Sequence, residues 1–353
     1  LLAAVRENEE RLQFLGVNTS RVKAAAFAMS GALAGMAGAF FAPHQGIVTP
    51  QVVGFILSAE LVIWTAVGGR FGPVGPVFGA VIIGFLASGL RDSFAYWEVV
   101  VALVFIIVVL RLPGGVGGLG ISIAKRFGIN VWSQKKFSRT ETVPGADQKE
   151  SPTLEFDNVS VQIGPVAILS GLSFSIKQTG IHCLIGPNGA GKTSALNALT
   201  GKLPYSSGKI SWRGNTLKGI RPFRTSGLGI GRKLQVPSIF PGLTIRQNID
   251  IAIWVNRLKF THLFSLNPYQ WNISLLDELQ DSFPFLKDNE ELAGTLSVGQ
   301  RQMLDFTMAV LAEPNLILLD EPCAGLSKSE TENMISVISN LARSSKATFI
   351  IVE

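Results

Sequence analysis

Eight residues, Gly186-Pro-Asn-Gly-Ala-Gly-Lys192-Thr193, constrain this chain more than any other stretch. They follow a short β-like run, Ile181–Ile185, and lead into a helix-forming "SALNALTG". The spacing is G-x-x-x-x-G-K-[ST] in a strand–loop–helix setting. Glycines let successive backbone N–H groups curl around phosphate oxygens, and the helix that follows turns its positive dipole end toward them. Gly186, Pro187, Asn188, Gly189, Ala190, Gly191, Lys192, Thr193 and Ser194 are thereby expected to cradle a nucleotide. Lys192 reaches the β- and γ-phosphates, and the Thr193 hydroxyl is a ligand for Mg²⁺.

A second stretch completes this chemistry. In "LILLDEP" four apolar residues, Leu316–Leu319, precede Asp320 and Glu321. A buried parallel strand reads as a continuous apolar run, and ligands bind beyond the carboxyl ends of such strands. Asp320 is expected on the metal side and Glu321 as the base for an attacking water. The bland reading, a strand that happens to end in surface acids, loses weight beside the glycine loop. A nucleotide and Mg²⁺ are the implied ligands.

Composition divides the chain. Of 353 residues, 47% are hydrophobic but only 16% charged, and the mean hydropathy is +0.35. The average hides a split between an apolar, glycine-rich stretch, 1–123, and an α/β pattern over 153–353. Ala24–Ala42, Val52–Val67, Val77–Leu90 and Val99–Leu110 read as four membrane-spanning helices, the last three short for about 30 Å of hydrocarbon unless flanking residues join them. Buried core helices are the alternative, but these segments follow one another with few charges and little amphipathic pattern. Arg6, Arg11, Arg21 and Lys23 before the first, Arg70 after the second, and Arg111, Lys125 and Arg126 after the fourth place both ends inside. Arg91 and Asp92 fall outside as a mixed pair. Gly31, Gly35 and Gly38 have the small-residue spacing that lets helices approach in lipid. Glu60, an acid within a span, is a functional candidate or a structural hydrogen-bond partner. Residues 124–152 are polar and punctuated by Gly128, Pro144, Gly145 and Pro152, a composition expected to tether rather than fold.

Several classes drop out. The net charge of +6 lies largely beside the last apolar segment, with no aromatic-basic stripe, so nucleic acid is not an expected partner. Cys183 and Cys323, in segments that read as buried strand or post-strand turn, make no disulfide framework. His44, His182 and His262 are isolated, which argues against zinc, and His182 is expected to pack in its strand. The chain opens within a helix and stops within a strand, as expected of a fragment.

Further motifs carry a resemblance. "LSVGQRQML" (Leu296–Leu304) resembles the signature of ATP-binding cassette (ABC) ATPases, "GRKLQVPSIF" with Gln235 their Q-loop, and "AGLS" (Ala324–Ser327) their D-loop. The resemblance covers 153–353. It implies a multidomain chain: all-α transmembrane helices, then an α/β P-loop ABC ATPase domain with a helical subdomain, here the Phe- and Trp-rich Trp254–Asn289. It also implies ATP as the nucleotide and a head-to-tail pair of cassettes. Ser297, Gly299 and Gln300 of one would close on the nucleotide of the other, Gln235 would join Thr193 and Asp320 at the metal, and Glu321, Gln235 and Lys192 would carry the chemistry. Three departures stand out: Val298 replaces a glycine, Ile163 occupies an adenine-stacking position that is often aromatic, and the chain ends at Glu353, just before the switch histidine. Weak hydrolysis is the expectation for these residues alone.

Residues 1–123 resemble the permease subunits of branched-chain amino acid and urea ABC importers. "AVRENEERLQFLG" looks like their cytoplasmic coupling helix, placed at 3–16, and "AVGGRFGPVGPVFGA" (Ala66–Ala80) like their loop between spans. Within that family "PHQGIVTP" (Pro43–Pro50), "SAELVIWTAVGGR" (Ser58–Arg70) and the "GRK" before Gln235 sit closer to the urea type. Import of urea or a short amide is therefore the first expectation, a branched-chain amino acid the second, and a membrane-tethered regulatory ATPase the rival from another class. The implied partners are a second permease subunit, a second ABC ATPase subunit, an extracytoplasmic solute-binding protein and membrane lipid. The implied location is the inner membrane, multi-pass, with the ATPase cytoplasmic. The coupling helix is expected to dock its apolar side in a groove of the ATPase; resting on lipid headgroups is the alternative.

Overall fold

A computed structural model describes residues 1–46, 54–69, 74–91, 96–111, 115, 153–255, 274–288, 290–345 and 347–353. The polar linker 124–152, Arg70, Asp92, His262 and most of Trp254–Asn289 lie outside the described residues, as do the side chains of His44 and Glu60. Two compact units emerge: residues 1–28 with 136–353, and residues 29–135.

The first unit begins with two short helices, not one. Helix α1 is Leu2–Glu7 and α2 is Glu9–Leu15, broken at Asn8, whose backbone is extended. The Asn8 side chain accepts from Arg11 N at 2.9 Å and so caps α2. Gly16 closes α2 in the left-handed region at φ 109°. Helix α3, Thr19–Gln45, follows. Its start is tied to α2 by Glu9, which accepts from Thr19 Oγ1 (2.8 Å) and Lys23 Nζ (2.9 Å).

The remainder of this unit holds two sheets. One is antiparallel, ordered β2-β1-β4-β5, from β1 (Leu154–Ile163), β2 (Val166–Ile176), β4 (Ser207–Trp212) and β5 (Asn215–Thr216). The other is ordered β3-β8-β7-β6, from β3 (Gly180–Leu184), β6 (Ile230–Lys233), β7 (Leu316–Asp320) and β8 (Thr348–Val352), with every neighbouring pair parallel. Strand β7 is buried at all five positions, as its apolar run requires. Helix α7, Lys192–Leu199, packs Ala195, Leu196, Ala198 and Leu199 between the sheets. After the short helix α8 (Pro222–Thr225), a helical layer comprises α9 (Ile245–Trp254), α10 (Ser274–Ser282) and α11 (Val298–Leu311), and α12 (Lys328–Ser344) follows β7. Thr244, Ser297 and Ser327 open α9, α11 and α12 with reciprocal capping boxes. Ala4, Leu12 and Leu15 belong to the same apolar cluster as α9, α11 and β7.

In the second unit, α4 (Phe55–Gly68), α5 (Val74–Arg91) and α6 (Trp97–Arg111) pack around Val67, Ile83 and Val108. All four apolar segments are helical, but among the described residues only Thr19–Pro43 is long and apolar enough to cross a membrane. The close approach falls elsewhere than the small-residue spacing predicted. A Cβ on Gly31, Gly35 or Gly38 would meet nothing within 4 Å, whereas one on Gly68 or Gly79 would collide with the backbone of Pro76 or Gly68 at 2.9 and 2.5 Å. The glycines needed for contact are those where α4 and α5 cross.

One further expectation is corrected. Cys183 is exposed, whereas Cys323 lies half-buried in the turn after β7. Strand β3 occupies one end of its sheet and alternates between half-buried and exposed positions, so a cysteine there faces outward.

Candidate functional site

The glycine loop leaves β3 and ends at α7. Gly189 and Gly191 both have positive φ, 83° and 88°. At Gly191 a Cβ would also press on Leu169 Cδ2 at 2.5 Å, so the turn into α7 excludes larger residues on two counts. Asn188, Gly189 and Ala190 are exposed. Lys192 Nζ donates to the carbonyls of Gly186 and Pro187, the latter at 3.1 Å, which holds the ammonium over the loop. Thr193 and Ser194, in the first turn of α7, are half-buried.

Thr193 Oγ1 donates to Asp320 Oδ1 at 3.1 Å, joining the helix start to the end of β7. The Asp320 side chain is fully buried, and its Oδ2 has no hydrogen-bond donor among the described residues. A hydroxyl beside a buried carboxylate with spare acceptor capacity suits a hard divalent cation. Thr193, Asp320 and Gln235 could hold one. Gln235 Nε2 donates to Glu321 Oε1 at 3.1 Å. Glu321 has φ 45°, the left-handed region that a residue of its size rarely adopts. Its backbone N–H is fixed to Val352 O at 3.0 Å. Such local strain, held by neighbouring structure, is a feature of working sites.

Ser297, Gly299 and Gln300 lie at the start of α11. The Ser297 hydroxyl accepts from Gln300 N (3.1 Å) and the Gln300 side chain returns a bond to Ser297 N (2.9 Å). Gly299 is buried against the Glu330 carboxylate, 2.7 Å from where a Cβ would stand. None of the three makes a hydrogen bond to the glycine loop among the described residues. Ile163 is 54% exposed at the end of β1, and Val298 is exposed beside Ser297. His182 sits half-buried in β3, its Nε2 3.0 Å from Gln178 O.

The sequence reading missed a buried ionic cluster behind this site. Arg11, assigned there to a charged cytoplasmic flank, is completely buried. Its Nη1 donates to Arg232 O (2.9 Å) and its Nη2 to Asp305 O (2.8 Å), and Nη2 also stands 2.9 Å from Asp305 Oδ1. Lys233 is buried alongside. Burial lowers the Arg11 and Lys233 pKa and raises that of Asp305, while their mutual attraction opposes each shift. Arg232 donates to Thr200 Oγ1 at 2.8 Å and faces Asp320 Oδ2 at 3.6 Å. Its pKa falls to about 10, from burial opposed by Asp320, so it stays protonated at neutral pH. A signal existed: Asp305 is a lone acid in "QMLDFTMAVL", and Arg232 and Lys233 follow "LGIG" in a short strand. Charges in such runs are buried only when paired.

Helices α1 and α2 thus seat on the ATPase by more than their apolar side. Asn8 donates to Ser238 Oγ (3.0 Å) and Ile239 O (3.3 Å), just after Pro237. Glu7 accepts from Gly242 N at 3.0 Å, and Glu10 pairs with Lys202.

Residues 169–324 match the family model described as ABC transporter, and residues 1–110 match that of the branched-chain amino acid transport system permease component. Over 199 residues the chain is 32% identical to a high-affinity branched-chain amino acid transport ATP-binding protein of Pseudomonas aeruginosa, covering 56% of this chain and 81% of that protein. It is 31% identical over 187 residues to a probable branched-chain amino acid transport ATP-binding protein of Archaeoglobus fulgidus, covering 53% and 75%. A ribose import ATP-binding protein of Lactococcus lactis is 30% identical over 188 residues, 53% of this chain and 37% of that one. An ATP-binding cassette of an ABC transporter, solved in its ADP conformation, aligns with a TM-score of 0.47 and 23% identity over 58% of this chain and 82% of that one. These findings back the branched-chain alternative better than urea, which the motif resemblance had put first. The chain belongs to the ABC transporter family, of the branched-chain amino acid type, and carries an ATPase whose hydrolysis of ATP is coupled to transport.

Proposed function

We propose that this chain is a fused permease–ATPase subunit that drives import of a branched-chain amino acid. It works with a second permease, a second cassette and an extracytoplasmic solute-binding protein, in a multi-pass arrangement with the ATPase on the cytoplasmic side of the inner membrane. The carrying observation is the seat of α1 and α2: a permease-matching segment is locked to the ATPase through the buried Arg11–Asp305 pair. An anchor alone has no need of such a lock.

In this reading the backbone amides of Gly189–Lys192 grip the phosphates and Lys192 turns from the loop carbonyls to the β- and γ-oxygens. Thr193, Asp320 and Gln235 hold Mg²⁺, which neutralises charge on the phosphates when bound. Glu321 accepts a proton from the attacking water, oriented by its contact with Gln235. Ser297, Gly299 and Gln300 complete the site of a neighbouring cassette, where a serine hydroxyl and a helix N-terminus suit an anion. Closure of the cassettes moves the surface on which α1 and α2 sit, and rigid-body rocking follows.

The choice of solute rests on the permease-model match, because a ribose import ATPase resembles the cassette almost as well. Urea or a short amide is the second reading, favoured by Ser58–Arg70 and by "GRK" before Gln235. Reconstitution with the partner subunits and binding protein tests all three readings. Leucine is expected to stimulate ATP turnover. Stimulation by urea alone selects the second reading, and failure of any solute to stimulate supports the regulatory ATPase.

A further inference from the structure

We infer that Arg232 is a positioning residue: it holds the Asp320 carboxylate in register with Thr193, and this hold depends on the seating of α2 through Phe14. The inference rests on the reading of Thr193 and Asp320 as the metal-side pair. It gives Phe14, Arg232 and Thr200 a role at the metal-side pair that the coupling-helix and Q-loop motifs do not assign to them.

The two oxygens of Asp320 have different neighbours. Oδ1 receives the Thr193 hydroxyl at 3.1 Å, while Oδ2 faces Arg232 Nη2 at 3.6 Å. A carboxylate with one oxygen held from behind presents the other in a fixed direction. Arg232 is in turn held from three sides. Thr200 Oγ1 accepts from Nη1 at 2.8 Å, the Phe14 ring lies under the guanidinium with its centroid 5.6 Å from Cζ, and the Arg232 carbonyl accepts from Arg11 at 2.9 Å. Two of these supports come from α2, at positions 11 and 14, three residues apart and so on one face.

The path is dry. Phe14 and Arg232 are each 3% exposed and Asp320 is fully buried. Arg232 Nε has no hydrogen-bond partner among the described residues, so few contacts fix the fork. If α2 lifts, the ring and the Arg11 bond leave together and water reaches the guanidinium. Hydrated, it no longer needs Asp320, and the carboxylate turns. The seated and lifted states therefore differ in how well they hold a divalent cation, the differential interaction that any such coupling requires. The effect is reciprocal: a cation–nucleotide pair at Thr193 and Asp320 tightens the seat of α2.

The test measures Mn²⁺ binding by electron paramagnetic resonance on the full chain loaded with a non-hydrolysable ATP analogue. Phe14→Leu keeps an apolar side chain, with some loss of volume, but removes the ring face. It is expected to weaken Mn²⁺ binding about fivefold, the lower end of typical site-to-site coupling, with affinity for metal-free nucleotide unchanged. Arg232→Lys keeps the charge but cannot bridge Thr200 and Asp320 together, and is expected to weaken Mn²⁺ binding at least as much. In the Arg232→Lys background, Phe14→Leu should then add little. Unchanged Mn²⁺ affinity in Phe14→Leu overturns the inference, and so do fully additive effects. Loss of metal-free nucleotide affinity also overturns it, since the ring then acts through the fold. A wild-type chain that binds nucleotide but no Mn²⁺ refutes the metal-pair reading itself, an outcome distinct from the other three.

Discussion

At the scale of single residues, Arg11 carries the largest consequence. Removing one member of a buried ion pair leaves an uncompensated charge, at a cost of about 3–5 kcal/mol, whereas replacing both by apolar groups can be nearly neutral. Lys233 stands beside Asp305 and reduces that cost here. Arg11→Met is expected to lower stability by about 2–3 kcal/mol, and Arg11→Met with Asp305→Leu by more, because Lys233 is then buried without its nearest carboxylate, measured by denaturant unfolding of the full chain. Lys192→Ala should weaken ATP binding by about 1.5–3 kcal/mol, the range for hydrogen bonds to charged groups, read by nucleotide titration. Asp250 supplies a pH test. Burial pushes its carboxyl up to about 6, against the pull of Arg246 at 3.8 Å. The folded chain therefore binds this proton more tightly than the unfolded one, and the stability it contributes falls as pH rises through the window from about 4 to 6. Asp250→Asn is expected to stabilise by on the order of 1 kcal/mol at pH 7, a gain that disappears below about pH 4 in thermal unfolding.

At the scale of elements, caps and close approaches decide what the helices do. The Ser297–Gln300 box holds the start of α11 and also fixes the hydroxyl proposed to meet a nucleotide. In the helical unit, α4 and α5 cross where Gly68, Gly75 and Gly79 bring backbones together. Gly79→Ala would drive a methyl group into Gly68 and the carbonyl of Trp64. Overpacking of this kind costs about 1–3 kcal/mol, and a lower unfolding temperature in detergent is the expected readout. Gly35→Ala, with open space around it, should leave that temperature unchanged.

At the scale of the whole molecule, the polypeptide joins two kinds of structure, and the first 28 residues group with the ATPase rather than with the helices that follow. Ala4, Leu12 and Leu15 complete a core whose other members come from α9, α11 and β7. Residues 1–16 are therefore expected to exchange their amide hydrogens in one cooperative unit with α11. Exchange at the rate of a free peptide would contradict the docked arrangement, and Arg11→Met should accelerate exchange in both segments together.

How much of this was legible follows from where the information resides. The glycine loop, the apolar strand ending in Asp320 and Glu321, and the four apolar helices were readable because each is a local pattern with a local cause. Phosphate-cradling amides need glycine, a doubly covered strand needs an apolar run, and a helix that is apolar all round needs few charges. Those patterns by themselves determined the ATPase fold, the candidate cradle and the presence of a hydrophobic helical part. The tertiary structure alone decided that α1 and α2 are separate, that Arg11 is buried, and that the close glycine contacts belong to α4 and α5. A charged side chain in a sequence is exposed by default, and its partner Asp305 lies 294 positions away. Only the folded chain brings those charges within 3 Å and excludes the water that would otherwise keep them apart.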